Sequence, residues 1–284
     1  MARRILMGAT LAVVAAGLLW LDARLAPGTV ALTVAIVLSF LAQLELARMG
    51  SLAAQALGLP LRCAWIACSV QSYQRLSDGA PPEPFRELGL LYAATLLGLL
   101  VGTLGAWLAS RAGPRPRPSG QVLGLGLWLL PPIFLLVPIE RTFGTLGLVL
   151  LVVLAKIGDN AGYFVGKAIG KRRPFPGISP GKTVAGCVAS LVAGTLAGAV
   201  LLPLTLGEPG TGGGLLGALV GAAINLAAQA SDLSESWVKR RAGVKDSSTW
   251  LGPSGGVLDV IDSLFLAAPV ALVLWALLYP SAIS

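Results

Sequence analysis

Long apolar blocks alternate with short polar segments along the whole chain. Eight blocks have roughly the 20 residues that cross a bilayer core of about 30 Å as a helix, and they cover positions 5–21, 29–47, 88–109, 122–139, 145–165, 184–206, 213–230 and 256–278. A ninth, weaker block covers 52–71 and is interrupted by Pro60 and Arg62. Because a spanning segment must satisfy its own backbone hydrogen bonds, long uninterrupted runs favour helices over barrel strands. The pattern predicts an all-α integral membrane protein, a polytopic bundle of transmembrane helices.

The composition supports an integral membrane protein and excludes several kinds of catalytic and metal site. Hydrophobic residues make up 55% of the 284 positions and charged residues only 12%, whereas soluble domains carry about 25% charged residues. The net charge of +8 does not indicate a nucleic-acid partner, because Lys and Arg gather in cytoplasmic loops beside anionic head groups. The chain has no histidine, which excludes Ser/His/Asp and Cys/His catalysis and histidine metal sites.

Loop charge predicts the number of spans and their orientation. With nine spans and a cytoplasmic N-terminus, the basic segments share the cytoplasmic side; they are residues 3–4, 48, 111–117, 167–182 and 239–245. Eight spans with the same start place the basic loops on the wrong side. Eight spans with an external N-terminus is the alternative, and it leaves Arg3, Arg4 and Arg48 outside. We expect about nine helices, with the N-terminus in the cytoplasm.

A first polar region begins inside the block at 145–165. Lys156, Asp159 and Tyr163 are spaced i, i+3, i+7, so they share one face of a helix. Ionisable residues inside a span usually face a cavity or the bundle interior. The alternative is a snorkelling helix end beside a positively charged loop.

A hydroxyl and lysine cluster follows this region. Gly181, Lys182 and Thr183 match the end of a P-loop, but Pro176 stands where that motif needs a glycine. A Ser, Lys and Thr group beside a proline turn can still bind phosphate through side-chain and backbone donors. Ser179, Lys182 and Thr183 are therefore candidate phosphate ligands.

A second polar region joins the last two blocks. If the block at 213–230 continues as a helix, one face carries a polar stripe at spacings of four, three and four, formed by Asn225, Gln229, Asp232 and Ser236. Lys239 extends this stripe, and Asp259 and Asp262 lie i, i+3 at the start of the last block. Two helix ends that carry carboxylates can hold Mg²⁺, which prefers oxygen ligands. Interhelical hydrogen bonding and helix capping are the alternative roles.

These residues resemble the phosphatidate cytidylyltransferase (CDP-diacylglycerol synthase) family. Matches to its C-terminal motif are Ser236, Lys239, Arg240, Lys245, Asp246, Gly255, Gly256, Asp259 and Asp262, preceded by Asp232-Leu233-Ser234-Glu235. Matches to its upstream segments are Asp159, Ala161, Tyr163 (shifted by one residue), Gly166, Gly170, Ser179, Pro180, Lys182, Thr183 and Gly186. The resemblance covers about residue 150 to the C-terminus. Ser254, Val260 and Ala185 depart from the family's histidine, arginine and acidic residue.

The resemblance implies an Mg²⁺-dependent enzyme that forms CDP-diacylglycerol and pyrophosphate from CTP and phosphatidic acid. It implies that Asp232 and Asp259 hold metal, with a second cation left open, and that the catalytic residues are Asp232, Asp259, Lys239 and Lys182. The substrate-binding residues that it implies are Asp159, Ser179, Thr183, Glu235, Ser236, Arg240, Lys245, Asp246 and Asp262. Residues 1–142 would be a lipid-facing scaffold, and residues 143–284 a catalytic transmembrane domain with cytoplasmic loops 167–183 and 232–255. The active site would lie near the cytoplasmic face, and a homodimer is left open.

Three other functions compete with this one. A related CTP-transferase could act on an archaeal-type or polyprenyl lipid phosphate, with Ser254, Val260 and Ala185 marking the change. A transporter would also carry intramembrane charges, but its charges usually recur in matching halves, and here they concentrate in the second half. A catalytically degenerate relative would retain the fold and bind lipid.

Overall fold

The computed structural model describes residues 28–49, 131–207, 213–252 and 255–282, with scattered positions in 17–25 and 66–89. Its elements are α1 (Thr29–Met49), the 3₁₀ helix η1 (Pro131–Leu135), α2 (Leu136–Ile169), α3 (Val184–Leu206), α4 (Gly213–Arg241), α5 (Val257–Ile261), α6 (Leu264–Leu278) and the 3₁₀ helix η2 (Pro280–Ala282). Five candidate spans are long and apolar enough to cross a membrane. The predicted all-helical architecture is confirmed for these residues, while the predicted spans at 5–21, 52–71 and 88–109 lie largely outside them.

The observed helix bounds agree with the predicted apolar blocks where hydropathy alone determines where a helix begins and ends. Helix α3 occupies the predicted 184–206, and its 23 residues rise about 34 Å at 1.5 Å per residue, enough to cross the hydrocarbon core. Helix α4 continues beyond the predicted apolar block to Arg241. The predicted spans at 122–139 and 145–165 meet in α2, which kinks at Gly144 with φ 71° and ψ 175°.

The last predicted span is two helices rather than one. Helix α5 ends at Ile261, a turn holds Asp262 and Ser263, and α6 begins at Leu264. Together they form one candidate span, Val257–Leu278. The turn between α5 and α6 places non-helical backbone inside an apolar segment. Such backbone is tolerated at membrane depth where protein surrounds it.

The chain divides into two compact units that interleave in sequence. Unit 1 comprises Met1–Pro138 and Val238–Ile261, and unit 2 comprises Ile139–Trp237 and Asp262–Ser284. This division is structural; the predicted division by role at residue 142 stays a prediction.

In unit 1, α1 packs against η1 and α5. One face of α1 is buried and carries mostly small or polar residues, which are Ala31, Ala35, Ser39, Ala42 and Glu45. Its other face exposes Val37, Phe40 and Leu44. An exposed apolar face on a helix of this length suits contact with lipid.

In unit 2, the helices approach one another through glycines. A Cβ atom at Gly158 would overlap the side chains of Asn225 and Ser190, and one at Gly198 would overlap the backbone of Gly221. Small residues let spanning helices pack closely when lipid removes the hydrophobic drive for association. This packing brings the polar faces of α2, α3 and α4 together.

Candidate functional site

Three carboxylates of unit 2 form what we call the acidic cluster: Asp232, Glu235 and Asp262. One oxygen from each lies within 4.8 Å of the other two. Asp232 and Glu235 are i, i+3 on α4, and Asp262 lies in the turn between α5 and α6. Glu235 is fully buried, and Asp262 is 8% exposed. Three carboxylates this close repel one another unless cations compensate them.

A serine of α4 holds the turn that carries Asp262. The Ser231 hydroxyl donates to the backbone carbonyl of Asp262 and accepts from the N–H of Leu266 at 3.3 Å. The Asp262 carboxylate also accepts from the N–H of Ser263 at 2.6 Å. The turn is therefore attached to α4 directly beside Asp232.

Two lysines approach the acidic cluster from other segments. The Lys182 ammonium lies 2.7 Å from Asp232 and donates to the carbonyl of Gln229 at 3.4 Å. The Lys156 ammonium, on α2, lies 3.1 Å from Asp262 and 3.7 Å from Asp159. The two lysines thus pair with Asp159, Asp232 and Asp262.

The predicted polar stripe on α4 is confirmed. The helix is continuous through these positions. Gln229 donates to Asn225 at 2.8 Å, Ser190 of α3 donates to the same amide oxygen at 3.2 Å, and Ser236 donates to Asp232 at 3.4 Å. The stripe therefore leads from a buried amide network into the acidic cluster.

The segment before α3 is a compact turn that delivers Lys182. The N–H of Ser179 donates to the carbonyl of Phe175 at 2.9 Å, and the N–H of Lys182 donates to the carbonyl of Ser179 at 3.1 Å. The Thr183 hydroxyl accepts from the N–H of Gly186 at 3.1 Å and caps α3. Capping fixes the start of α3 next to Lys182; the phosphate-binding roles of Ser179 and Thr183 stay predictions.

Asp259 belongs to a different constellation, in unit 1. Its carboxylate pairs with Lys239, and both side chains are 10% exposed. The same carboxylate accepts from the N–H of Ser247 at 2.9 Å, from the Ser247 hydroxyl at 2.7 Å and from the N–H of Gly256 at 2.7 Å. The structure thus brings Glu235 and Asp262 to Asp232, and Lys239 to Asp259. The predicted metal pair of Asp232 and Asp259 stays a prediction.

The remaining predicted residues lie in the last turn of α4 and in the loop that follows it. Arg240 donates to the carbonyl of Val244 at 3.0 Å, and Gly243 turns the chain with φ 74°. Lys245 and Asp246 are exposed to solvent. Their predicted contacts with substrate are not tested by the structure.

Residues 2–278 match the sequence model of the cytidylyltransferase family. The chain belongs to this family. Its similarity to the phosphatidate cytidylyltransferase of Pseudomonas aeruginosa is 43% identity over 158 residues, covering 54% of this chain and 57% of that protein.

Two further relatives align over a shorter and a longer region, respectively. The phosphatidate cytidylyltransferase of Brucella suis is 36% identical over 129 residues, covering 45% of this chain and 46% of the relative. The Aquifex aeolicus phosphatidate cytidylyltransferase is 34% identical over 190 residues, covering 66% and 69%. The chain thus spans about half the length of the first two relatives. The resemblance found in the sequence is confirmed at the level of the family.

Sequence reasoning missed two features of this cytidylyltransferase-family chain. Glu45 on α1 is fully buried and accepts hydrogen bonds from residues more than 200 positions away. It is the only charged residue in the block at 29–47, and an ionisable residue inside a span is a signal that it has a role. Lys156 was recognised as part of a polar face, but its pairing with Asp262, 106 positions away, had no local signal.

Proposed function

We propose that the chain is an Mg²⁺-dependent CTP:phosphatidate cytidylyltransferase, which forms CDP-diacylglycerol and pyrophosphate. The observation that carries the proposal is the acidic cluster, with Lys156 and Lys182 paired to two of its carboxylates, in a chain of the cytidylyltransferase family. The three relatives from Pseudomonas, Brucella and Aquifex described above are named phosphatidate cytidylyltransferase.

The reaction is a nucleotidyl transfer that needs little acid–base help. An oxygen of the phosphatidate phosphate attacks the α-phosphorus of CTP, the bond from that phosphorus to the bridging oxygen of the β-phosphate breaks, and pyrophosphate leaves with the electron pair. The lipid phosphate is largely ionised near neutral pH, since a phosphate monoester has a second pKa of about 6. A strong general base is therefore unnecessary, which agrees with a chain that contains no histidine. Such transfers depend mainly on positioning and charge neutralisation.

The donor set of the acidic cluster fits Mg²⁺. It consists only of carboxylate oxygens, and this ion is usually held by one or two carboxylates plus substrate phosphates. Asp232, Glu235 and Asp262 would hold the ion, which when bound supplies charge neutralisation for the triphosphate. Asp259 remains a predicted metal ligand.

The lysines and hydroxyls around the cluster would bind phosphate oxygens. Lys182 is half-buried beside Asp232, so its ammonium can contact a phosphate of a nucleotide bound there. Lys239, Arg240 and Lys245 are the further predicted phosphate ligands. Asp159, 40% exposed, would face the nucleotide or the metal.

The proposal includes a membrane location. Five candidate spans support an integral membrane protein, and the apolar blocks at 5–21, 52–71, 88–109 and 122–139 support about nine helices with the N-terminus in the cytoplasm. The site would then lie near the cytoplasmic face, and phosphatidic acid would reach it laterally from the bilayer.

Turnover of radiolabelled CTP by the purified protein in detergent, with phosphatidate and Mg²⁺, tests the proposal. We expect lipid-linked CMP from the wild type and loss of product in Asp232→Asn, because the amide removes one negative ligand from the cluster. Asp78→Asn is the matched control, since Asp78 is an exposed carboxylate outside the site.

The same assay separates the proposal from its competitors. Product with a polyprenyl or archaeal-type lipid phosphate, but not with phosphatidate, would identify a related transferase. The departures at Ser254, Val260 and Ala185 are the sequence observation that favours it. No product with any lipid phosphate would refute the transferase. Equal activity in Asp232→Asn and the wild type would refute the role of the acidic cluster.

A further inference from the structure

The buried carboxylate of Glu45 accepts hydrogen bonds from the loop before α5 and from the first turn of α5, next to Asp259. Oε1 accepts from the Ser248 hydroxyl at 2.7 Å and from the N–H of Val257 at 2.8 Å. Oε2 accepts from the Ser247 hydroxyl at 2.8 Å and from the N–H of Leu258 at 2.9 Å. Each oxygen thus lies within hydrogen-bond distance of one hydroxyl and one backbone N–H. All of these residues belong to unit 1.

This pattern of donors requires two acceptor oxygens. The N–H groups of Val257 and Leu258 lie in the first turn of α5, where backbone donors have no partner within the helix. A hydroxyl can rotate to accept from an amide NH₂, but a backbone N–H cannot. A glutamine at position 45 would therefore turn an NH₂ group towards one of these two N–H groups. Hydrogen bonds to a charged acceptor are also about twice as strong as neutral ones.

Ser247 connects Glu45 to Asp259. Its hydroxyl oxygen lies 2.8 Å from Glu45 Oε2 and 2.7 Å from Asp259 Oδ2, and its N–H donates to the same Asp259 oxygen at 2.9 Å. The hydroxyl has one proton and donates to one carboxylate at a time. Ser247 is buried, so water does not replace either contact. The position of Asp259 is therefore coupled to that of Glu45 through one side chain.

The glycine between these groups leaves no room for a side chain. A Cβ atom at Gly256 would overlap the Ser247 hydroxyl and both carboxylate oxygens of Glu45. Gly255 has φ 82°, and its Cβ would overlap the Asp259 carboxylate. The Gly-Gly pair thus allows the two carboxylates and Ser247 to meet.

A second contact attaches the same loop to α1. The Arg48 guanidinium lies over the ring of Trp250, 4.5 Å from its centroid. Arg48 is three residues after Glu45, so both project from neighbouring positions on one face of α1. The last turn of α1 therefore holds the loop at two points.

We propose that Glu45 is a positioning residue for the reaction: through Ser247 and the start of α5, it fixes the Asp259 carboxylate and the Lys239 ammonium paired with it. The inference rests on the proposed transferase and on the predicted roles of Asp259 and Lys239 in it. Glu45 itself contacts neither substrate nor metal in this role. The N-terminal part of the chain then contributes to the site as well as to the scaffold.

Kinetics of Glu45→Gln and Glu45→Asp test the role in catalysis. We expect kcat of Glu45→Gln to fall about 10- to 100-fold, since small displacements of reacting groups cost up to about 100-fold, with a change in KM for CTP of less than about threefold. Glu45→Asp retains both oxygens and should recover part of the loss. In an Asp259→Asn background, Glu45→Gln should cost less than about twofold, because the group that it positions is already removed.

Hydrogen exchange followed by mass spectrometry tests the coupling without any substrate. We expect the segment 245–262 to exchange at least about tenfold faster in Glu45→Gln, while the segment 184–206 of α3 is unchanged, because only the former loses acceptors. Ser247→Ala breaks the connection without touching the buried carboxylate and should also reduce kcat. Glu140→Gln is the matched control: Glu140 is a buried carboxylate of unit 2 that accepts from Thr145, and its kcat should stay within about twofold of the wild type.

Three results would overturn the proposal. One is unchanged exchange of 245–262 in Glu45→Gln. Another is equally faster exchange in 184–206, which would make Glu45 a residue of general stability. The third is a full additional loss of kcat when Glu45→Gln is combined with Asp259→Asn. If the wild type makes no CDP-lipid, the proposed function fails, and the exchange experiment still decides whether Glu45 orders the segment around Asp259.

Discussion

Buried carboxylates occur in both compact units, but their surroundings differ in kind. In unit 2, the three carboxylates of the acidic cluster lie close to one another, and Lys156 and Lys182 pair with two of them. In unit 1, Glu45 and Asp259 are surrounded by donors: backbone N–H groups, serine hydroxyls and Lys239.

The difference distinguishes carboxylates that could bind a cation from carboxylates that fix the position of a loop. Buried charges cost free energy unless they are paired and hydrogen-bonded. Around Glu45 the protein supplies these partners itself, so the carboxylates fix the loop and the start of α5. In the acidic cluster three carboxylates lie close together, and under the proposed function a divalent cation would bind between them. Carboxylates of the same residue types would thus have two different roles, which their surroundings distinguish.

The largest test of this contrast is Asp262→Asn, which removes one charge from the acidic cluster. Metal ligation supplies several kcal/mol of charge stabilisation, so we expect turnover to fall at least about 100-fold, equivalent to about 2.7 kcal/mol. Stabilisation of the purified protein against heat by Mg²⁺ should also disappear, because an ion that binds only the folded state stabilises it by mass action. Thermal unfolding with and without Mg²⁺ measures this second effect. Equal stabilisation of the variant and the wild type would contradict a cation at the acidic cluster.

The next largest effect should come from Gly256→Ala, which disturbs the unit 1 carboxylates by volume instead of charge. The added methyl group would overlap the Ser247 hydroxyl and Glu45, and overpacking costs about 1–3 kcal/mol. We expect a lower unfolding temperature and unchanged stabilisation by Mg²⁺. Gly177→Ala is the control, since a Cβ atom there meets nothing within 4 Å. Equal unfolding temperatures for the two variants would show that a side chain is tolerated at position 256.

A smaller effect should show how Lys156 influences a cation bound at the acidic cluster. Lys156 lies 3.1 Å from Asp262, and its positive charge opposes a cation bound beside that carboxylate. We expect Lys156→Met to lower the Mg²⁺ concentration for half-maximal thermal stabilisation by about tenfold, a Coulomb effect of about 1.4 kcal/mol. Lys167→Met, on the same helix and exposed, should leave this concentration unchanged. A weaker response to Mg²⁺ in Lys156→Met would mean that the lysine supports the ion by orienting Asp262.

Much of the fold could be predicted from the sequence because hydropathy is a local property. The apolar block at 184–206 became α3 with the predicted bounds, and the stripe from Asn225 to Ser236 lies on one helix. The break after Ile261 was missed, because the turn at Asp262 depends on a hydrogen bond from Ser231, 31 positions earlier. Hydropathy does not record such contacts.

The candidate site divides in the same way. Asp232 and Asp262 were found because they are carboxylates inside or beside apolar segments, where an ionisable group is expensive. The sequence did not predict that Asp262 groups with Asp232 and Glu235. The i, i+3 spacing of Asp259 and Asp262 predicted that both lie on one helix, but α5 ends at Ile261, between them. The role of Glu45 depends on Ser247, 202 positions away, and nothing near either residue specifies the other.

The smallest predicted effect is that of a substitution at Thr183, which influences the acidic cluster through the position of Lys182. The Thr183 hydroxyl caps α3. The preceding residue, Lys182, pairs with Asp232 at 2.7 Å. Loss of an N-cap side chain costs about 1 kcal/mol, so we expect Thr183→Ala to lower the free energy of unfolding by that amount and Thr183→Ser to retain most of it. Denaturation of both variants in detergent, with turnover measured in parallel, separates capping from phosphate binding. If Thr183→Ala loses far more turnover than stability, the hydroxyl also binds phosphate, as the sequence predicts; if the two losses match, Thr183 acts only by fixing the start of α3 and the position of Lys182.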